Sequence, residues 1–150
     1  MVVADHYAYA GFAVELLANS EYHKQQHLGS YLSVEIFPAF WNNQFRFYFD
    51  EMQKPSALIT WAWLSEDVEK DVHNTGRSLS MREWQCGDRI FFNDWITPYD
   101  NIREVMHDIS HNVFPDVVAT GLRRNMDGTV RRINRWTGVN RRRVLRGKTT

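Results

Sequence analysis

Two neighbouring segments rich in aromatic and β-branched residues place the strongest constraint on the fold. Residues 44–50 (QFRFYFD) and 56–64 (SALITWAWL) have the composition of β-strands, and only five residues separate them. A connection this short, which contains Pro55, joins strands that lie side by side and run antiparallel. The sequence therefore predicts a β-hairpin over residues 44–64.

Three other segments carry helical signals. Apolar side chains recur at helical spacing over residues 8–27. Ser65 and Gly76 are a suitable N-cap and stop for a short acidic helix between them. Asp100 can cap a third helix that runs to about Val113, where the following Phe-Pro pair ends it.

Strand signals return in the second half of the chain. Residues 88–98 alternate like a strand, and residues 117–124 and 129–136 predict a second hairpin that turns at Asp127–Gly128. Residues 31–41 mix strand-like alternation with a proline, so they stay unassigned. Helices interspersed with mostly antiparallel strands predict the α+β class.

Length and composition fit one compact domain over residues 1–150. The chain is 43% hydrophobic, and no stretch reaches the roughly 20 apolar residues that a membrane-spanning helix needs. Cys86 is the only cysteine, and the N-terminal segment carries Asp5 and no basic leader. These features predict a cytoplasmic protein without membrane insertion.

Charge is distributed very unevenly, although the formal net charge is zero. Residues 1–120 carry 8 Lys/Arg and 17 Asp/Glu, whereas residues 121–150 carry 10 Lys/Arg and one acidic residue. The basic C-terminal segment 121–150 could dock on an acidic partner or fold back on the protein's own acidic surface. A solvated, partly frayed tail is the alternative.

Ser20, His23 and Asp94 are the candidate catalytic residues. Histidine takes and returns protons near neutral pH, and Ser20 lies three residues before His23, about one helical turn away. Asp94 stands in an aromatic run, FFNDWITP, where a carboxylate costs free energy unless it is paired. Backbone amides or Arg89 could satisfy Asp94 in a purely structural role.

The other reactive residue types carry weaker signals. Nothing adjacent to Cys86 marks it as an activated nucleophile. His107 and His111 have a zinc-compatible spacing, but no third ligand is evident, so we interpret them as surface residues and predict no metal site. The sequence also has no glycine-rich phosphate loop, no G-x-S-x-G elbow and no dinucleotide fingerprint.

Several motifs together resemble the RTX toxin-activating lysine acyltransferases, the family that matures hemolysins. The resemblance covers roughly residues 12–125, with its motifs in the same order. The matching motifs are S-x-x-H at Ser20–His23, Asn43–Gln44 before the first strand, W-A-x-L-S at Trp61–Ser65, the stretch WQCGDRIFFNDWITPY at Trp84–Tyr99, and F-P-D at Phe114–Asp116.

This resemblance implies a fold similar to the GNAT acetyltransferases, with a mostly antiparallel central sheet flanked by helices. It also implies a fatty acyl donor carried on acyl carrier protein, no bound cofactor, and a lysine ε-amine of an RTX-type protoxin as acceptor. By position, His23 and Asp94 match the family's catalytic pair, and Ser20 matches a residue close to the histidine. The family suggests a bacterial cytoplasmic protein and a homodimer.

The hypothesis for the reaction is that His23 takes a proton from the incoming amine while Asp94 orients the imidazole or holds the lysine. Direct transfer and an acyl-enzyme on Ser20 or His23 both stay open. One alternative function is a nucleic-acid-binding module, in which C-terminal arginines contact phosphates and Trp136 stacks on a base. Another is the same fold acylating a protein that is not a toxin.

Overall fold

A five-stranded mixed sheet forms the centre of the protein. The structure, a computed structural model, describes residues 3–142. The strands lie in chain order and every neighbouring pair is antiparallel except β3 and β4, which are parallel. Their bounds are β1 Phe45–Phe49, β2 Pro55–Leu64, β3 Arg89–Ile96, β4 Val118–Arg124 and β5 Val130–Thr137. The α+β class, the mostly antiparallel sheet and both hairpins are confirmed.

The first helix, α1 (Val3–Asn19), ends earlier than the predicted 8–27. Leu17 is its last buried residue, and the chain then turns through Ser20 into a separate 3₁₀ turn, His23–Gln25. His23 is buried there by contacts with a distant strand, and those contacts override the local helical periodicity.

The unassigned segment 31–41 proves to be helical. A short helix α2 (Leu28–Tyr31) continues through a π-helical turn, Leu32–Ile36, into α3 (Phe37–Trp41). Pro38 lies in the first turn of α3, directly after the π-helical turn, and it has no N–H to donate to that turn, so the helical hydrogen-bond pattern is interrupted there. The apolar residues that alternate along this segment reach the core from a helix, not from a strand.

Helix α4 (Glu66–Thr75) has the predicted ends. The Ser65 hydroxyl accepts a hydrogen bond from the Val68 amide, and Gly76 ends the helix with a φ of 71°. Helix α5 is Ile102–Asp108, followed by a π-helical turn, Ile109–Val113.

The predicted cap of α5 is wrong. Asp100 is left-handed, with a φ of 60°, and Asn101 occupies the cap position. An aspartate in a tight turn tolerates this left-handed conformation, so Asp100 forms the bend before the helix. The predicted end of the helical stretch, at Val113, is confirmed.

Helices cover both faces of the sheet. One face packs Ile59, Phe92 and Trp136 against Val105 and Ile109 of the α5 stretch. The opposite face packs Leu58 and Ile96 against α1 and α3, and continues under α4 through the side chains of Ala62, Phe91 and Val72. No helix within residues 3–142 is long and apolar enough to cross a membrane.

The first part of the basic C-terminal segment is largely strand. Residues 121–137 belong to β4, β5 and their turn, where Gly128 has a φ of 90°. The interpretation of this part as a frayed tail is therefore wrong, because hydrogen bonding to β4 orders it. Residues 138–142 follow β5, and residues 143–150 lie outside the described residues.

A substitution at Gly87 tests how closely the turn before β3 packs against the end of β2. A Cβ atom at position 87 would stand 2.3 Å from the carbonyl carbon and oxygen of Leu64 and from the amide nitrogen of Ser65. We expect Gly87→Ala to lower the free energy of unfolding by about 1–3 kcal/mol, because backbone atoms cannot move aside cheaply. Chemical denaturation measures this change.

Gly11→Ala is the matched control. Gly11 lies inside α1, and a Cβ atom at position 11 would meet no atom within 4 Å. Alanine should therefore raise the free energy of unfolding by up to about 1 kcal/mol, because it favours the helix more than glycine does. Equal stability of the two variants would contradict the close backbone approach at Gly87.

Candidate active site

A β-bulge in β3 sets the direction of the Asp94 side chain. Trp61 of β2 pairs with Phe92, but the preceding Thr60 pairs with Asp94, so Asn93 is an extra residue in the strand. Without this bulge Asp94 would lie opposite Ile59, on the face that packs against α5. The bulge instead brings Asp94 to the face that the N-terminal helices cover.

Asp94, His23 and Ser20 form one hydrogen-bonded chain. His23 Nε2 lies 2.8 Å from Asp94 Oδ1, and Ser20 Oγ lies 2.6 Å from His23 Nδ1. His23 and Asp94 are only 7% and 8% exposed, whereas Ser20 is partly exposed. The structure thus brings the three sequence-predicted site residues together, and both ring nitrogens of His23 have a partner.

Tyr31 is a member of this cluster that sequence reasoning missed. Its hydroxyl donates a hydrogen bond to Asp94 Oδ2, and its ring packs edge-on against His23 with centroids 5.6 Å apart. Tyr31 ends α2, inside the segment that carried no secondary-structure assignment. No signal in the sequence pairs it with Asp94, which is 63 residues away.

The charges of His23 and Asp94 stabilise each other. Burial lowers the pKa of His23, but the charge and the hydrogen bond of Asp94 outweigh burial, so this pKa lies above its ordinary value of 6.5. Burial raises the pKa of Asp94, but His23, Tyr31 and Arg124 bring it below its ordinary value. Asp94 therefore stays ionised at neutral pH and favours a protonated imidazole.

The pKa values of two tyrosines beside this pair are raised, so both hydroxyls stay protonated. Burial and the nearby charge of Asp94 raise the pKa of Tyr31 far above its ordinary value of 10.0. Burial also raises the pKa of Tyr22, whose ring packs edge-on against His23 at 5.1 Å. Tyr31 is thus a permanent hydrogen-bond donor to Asp94 over the physiological pH range.

The cluster opens into a cleft of about 870 Å³. Ser20, Tyr22, His23, Tyr31 and Asp94 line part of it. Apolar side chains of β3, α5, β4 and the β4–β5 turn also line it, namely Phe92, Trp95, Ile102, Met106, Leu122 and Met126. A cleft of this size with a few polar groups among apolar walls suits a small or flexible organic ligand.

Comparison with known protein families assigns this chain to a family. The model of the RTX toxin acyltransferase family matches residues 3–137. The chain belongs to the RTX toxin acyltransferase family. It is therefore an acyltransferase, as the motifs around His23 and Asp94 predicted.

Three similar proteins illustrate the range of relatives. The lysine-acyltransferase RtxC of Vibrio cholerae is 33% identical over 104 residues, which are 69% of this chain and 67% of that protein. The protein-lysine myristoyltransferase RtxC of Kingella kingae is 34% identical over 95 residues, 63% of this chain and 56% of that protein. An uncharacterized protein of Synechocystis sp. is 30% identical over 100 residues, 66% of this chain and 68% of that protein.

Two predictions about individual residues are wrong: Arg89 as the partner of Asp94, and Trp136 as a stacking surface for a base. Arg89 of the acyltransferase pairs with Glu66 and Glu69, so it does not satisfy Asp94. Trp136 is only 8% exposed and packs edge-on against Phe92, with ring centroids 5.4 Å apart. A base cannot stack on a buried indole, so that part of the nucleic-acid hypothesis is wrong.

The remaining candidates lie away from the cleft. Cys86 is an exposed free thiol whose Sγ accepts a hydrogen bond from the Ser65 amide at 3.4 Å. The rings of His107 and His111 stack at 3.9 Å on the surface of the α5 stretch. Over residues 3–142, no cluster of three or more His, Cys, Asp or Glu side chains could hold a metal ion.

Tyr31→Phe tests the contribution of the tyrosine to the buried cluster. Asp94 Oδ2 has no other hydrogen-bond donor within the described residues, so the variant leaves a buried carboxylate oxygen unsatisfied. We expect the free energy of unfolding to fall by about 1–3 kcal/mol in a denaturant titration. Tyr7→Phe, at a side chain that is 76% exposed, should change nothing, and equal stabilities would rule out the role of Tyr31.

Proposed function

We propose that this acyltransferase moves a fatty acyl group from acyl carrier protein to a lysine ε-amine of an RTX-type protoxin. The Ser20–His23–Asp94 hydrogen-bonded chain at the edge of an apolar-walled cleft is the observation that carries the proposal. The names of the Vibrio and Kingella relatives support lysine as the acceptor and, for the Kingella protein, myristoyl as the group transferred.

Acyl transfer to lysine requires a proton acceptor. The ε-amine is protonated in water, with an ordinary pKa of about 10.4, and only the neutral amine attacks a thioester carbonyl. The ammonium form first loses one proton to water. As the neutral amine forms the carbon–nitrogen bond and the carbon–sulfur bond breaks, neutral His23 takes up one proton in exchange for the second proton that the amine loses. His23 then gives a proton to the departing thiolate, which leaves the imidazole ready for another cycle.

Asp94 and Tyr31 keep the imidazole in position for this step. Asp94 occupies Nε2, so the neutral ring carries its proton there and leaves Nδ1 as the acceptor. Tyr31 occupies the second oxygen of the carboxylate and prevents Asp94 from rotating away. The base is thus fixed by groups that do not themselves touch the substrate.

Ser20 is the relay between the amine and the imidazole. Its hydroxyl already occupies the proton-accepting nitrogen, Nδ1, and it lines the cleft. The amine therefore passes its proton to the Ser20 oxygen as the hydroxyl proton moves to His23. This proposal assigns direct transfer to the enzyme and needs no acyl group on Ser20.

The donor assignment is supported by what lines the cleft. A fatty acyl chain is apolar, and Trp95, Met106 and Met126 are among the apolar side chains available to it. The sequence has no glycine-rich loop of the kind that holds the pyrophosphate of coenzyme A. A thioester presented by a carrier protein has less need of such a loop.

We also propose a GNAT-like fold, a single domain over residues 1–150, a homodimer and a cytoplasmic location. The mixed five-stranded sheet with helices on both faces supports the fold assignment. The reaction site lies where the parallel pair β3 and β4 separates, after Phe92 and Gly121. Ligands of open sheets commonly bind at the carboxyl ends of parallel strands.

Substitutions in the chain of hydrogen bonds should affect the rate unequally. We expect His23→Ala to lower the rate of lysine acylation by about 10²–10⁴, the usual contribution of a positioned proton carrier. Ser20→Ala should lose less, since a water molecule can carry the proton instead. His27→Gln, at an exposed histidine outside the cleft, is the control.

Mass spectrometry of a protoxin incubated with acyl carrier protein thioesters gives these rates. Unchanged acylation by His23→Ala would remove the imidazole from the mechanism. The mass of the intact enzyme is measured after incubation with the donor alone. An acyl adduct on Ser20 would show an acyl-enzyme intermediate and rule out the role of Ser20 as a relay.

The pH profile provides a test of the His23–Asp94 interaction. Because the pKa of His23 is raised and the neutral ring is the base, kcat/KM should increase with pH through a midpoint above 6.5. Asp94→Asn removes the charge that raises this pKa and leaves burial, which lowers it, so the midpoint should move to lower pH. A midpoint that stays in place would contradict the pairing, and Asp108→Asn, outside the cleft, is the control.

A further inference from the structure

Four arginines line the part of the cleft that β4 and β5 form. They are Arg123, Arg124, Arg131 and Arg135, and Asp94 is the only carboxylate in the same lining. Asp94 is already paired with His23. This wall of the acyltransferase therefore carries a concentrated positive charge that no acidic side chain of the cleft offsets.

The charge is not neutralised by neighbouring carboxylates either. Within residues 3–142, none of the four arginines forms an ion pair, whereas Arg46, Arg77 and Arg89 each pair with at least one carboxylate. Arg124 is held by a hydrogen bond from its Nε to the Gly76 carbonyl at 3.0 Å. Arg123, Arg131 and Arg135 are exposed, and their side chains make no hydrogen bond to another residue of the described range.

The β4–β5 ladder places Arg123 directly opposite Arg132 and Arg135 directly opposite Thr120. Directly opposed residues share a face of the sheet, and the face alternates along a strand, so Arg123 lies on the face of Arg132 and Arg135 lies on the other face. Guanidinium groups form the paired hydrogen bonds that match the oxygens of a phosphate group.

We propose that Arg131 and Arg135 bind the phosphodiester of the phosphopantetheine arm that carries the acyl thioester. This inference rests on the proposed donor, a carrier-protein thioester. The acyl chain and the amide-containing arm are uncharged, and the attacking amine must be neutral, so the phosphate is the only negative group that the donor brings into the cleft. An acidic surface of the carrier protein would remain outside the concave site.

Arg124 has a different role in this arrangement. Its charge lowers the pKa of Asp94 and its guanidinium is tied to Gly76, so a change at Arg124 would also disturb the reacting pair. Arg131 and Arg135 have no such contacts with His23 or Asp94. They are the residues that separate phosphate binding from catalysis.

The test compares three donors that share one acyl chain: acyl carrier protein thioester, acyl-phosphopantetheine, and acyl-pantetheine, which lacks the phosphate. For Arg131→Gln and Arg135→Gln we expect the KM for acyl-phosphopantetheine to rise about tenfold each, with kcat unchanged. The KM for acyl-pantetheine should stay at the wild-type value. Higher salt should weaken the binding of the phosphate-bearing donors.

Arg132→Gln is the matched control, because Arg132 lies on the same strand and is exposed but does not line the cleft. An equal rise in KM for this variant would show a diffuse charge effect and overturn the site. Variants that are impaired with acyl carrier protein but not with acyl-phosphopantetheine would show that the arginines contact the carrier protein itself, which would also overturn it.

Calorimetric binding of free phosphopantetheine to the wild-type protein separates this inference from the proposed function. Binding that weakens in Arg131→Gln and Arg135→Gln supports the phosphate site even if no lysine is acylated. Lysine acylation from acyl carrier protein that these variants leave unchanged would keep the proposed function and refute the site. An oligonucleotide could bind more tightly than phosphopantetheine, and Arg132→Gln could weaken that binding as much as Arg131→Gln and Arg135→Gln do. This result would point to nucleic acid as the ligand and would also refute the phosphate site.

Discussion

The buried carboxylate of Asp94 is the interaction on which the rest of the site depends. A carboxylate that is 8% exposed is stable only when its charge and its lone pairs are satisfied. His23 satisfies one oxygen and Tyr31 the other, from two separate turns of the N-terminal segment. The same contacts that stabilise Asp94 therefore attach this segment to the sheet and place the imidazole of His23 beside the cleft.

The sheet contributes two irregularities that make this arrangement possible. The bulge at Asn93 directs Asp94 toward the N-terminal helices, and the bulged residue itself donates a hydrogen bond to Glu35 on the same side. The parallel pairing of β3 and β4 extends only from Ile90 to Phe92 on β3. Beyond that point the strands separate, and the walls of the cleft come from both of them.

The cleft has two parts that differ in hydrogen bonding and in charge. At the His23 end, every hydrogen-bonding atom of the imidazole and of the Asp94 carboxylate has a partner. On the β4–β5 wall, the arginines have donors to spare and no carboxylate partner within the described residues. The first part holds the imidazole in a fixed position, and the second is where we propose that a negatively charged group binds.

The predictions succeeded where the signal is local. The hairpin over 44–64 follows from strand composition and a short connection, and α4 follows from Ser65 and Gly76 at its ends. They failed where a distant contact decides the conformation. The helix predicted over 8–27 ends at Asn19. Residues 31–41, for which no prediction was made, belong to helices.

The sequence by itself determined the α+β class and the two hairpins, because these follow from residue type and short-range spacing, and the resemblance of its motifs to a known family made Ser20, His23 and Asp94 candidates. Only the tertiary structure decided that Tyr31 completes the cluster, that Trp136 is buried and that the arginines face one cleft. The physical reason is that burial and hydrogen bonding join residues 63 or 71 positions apart, through a strand register and a bulge that no local pattern specifies.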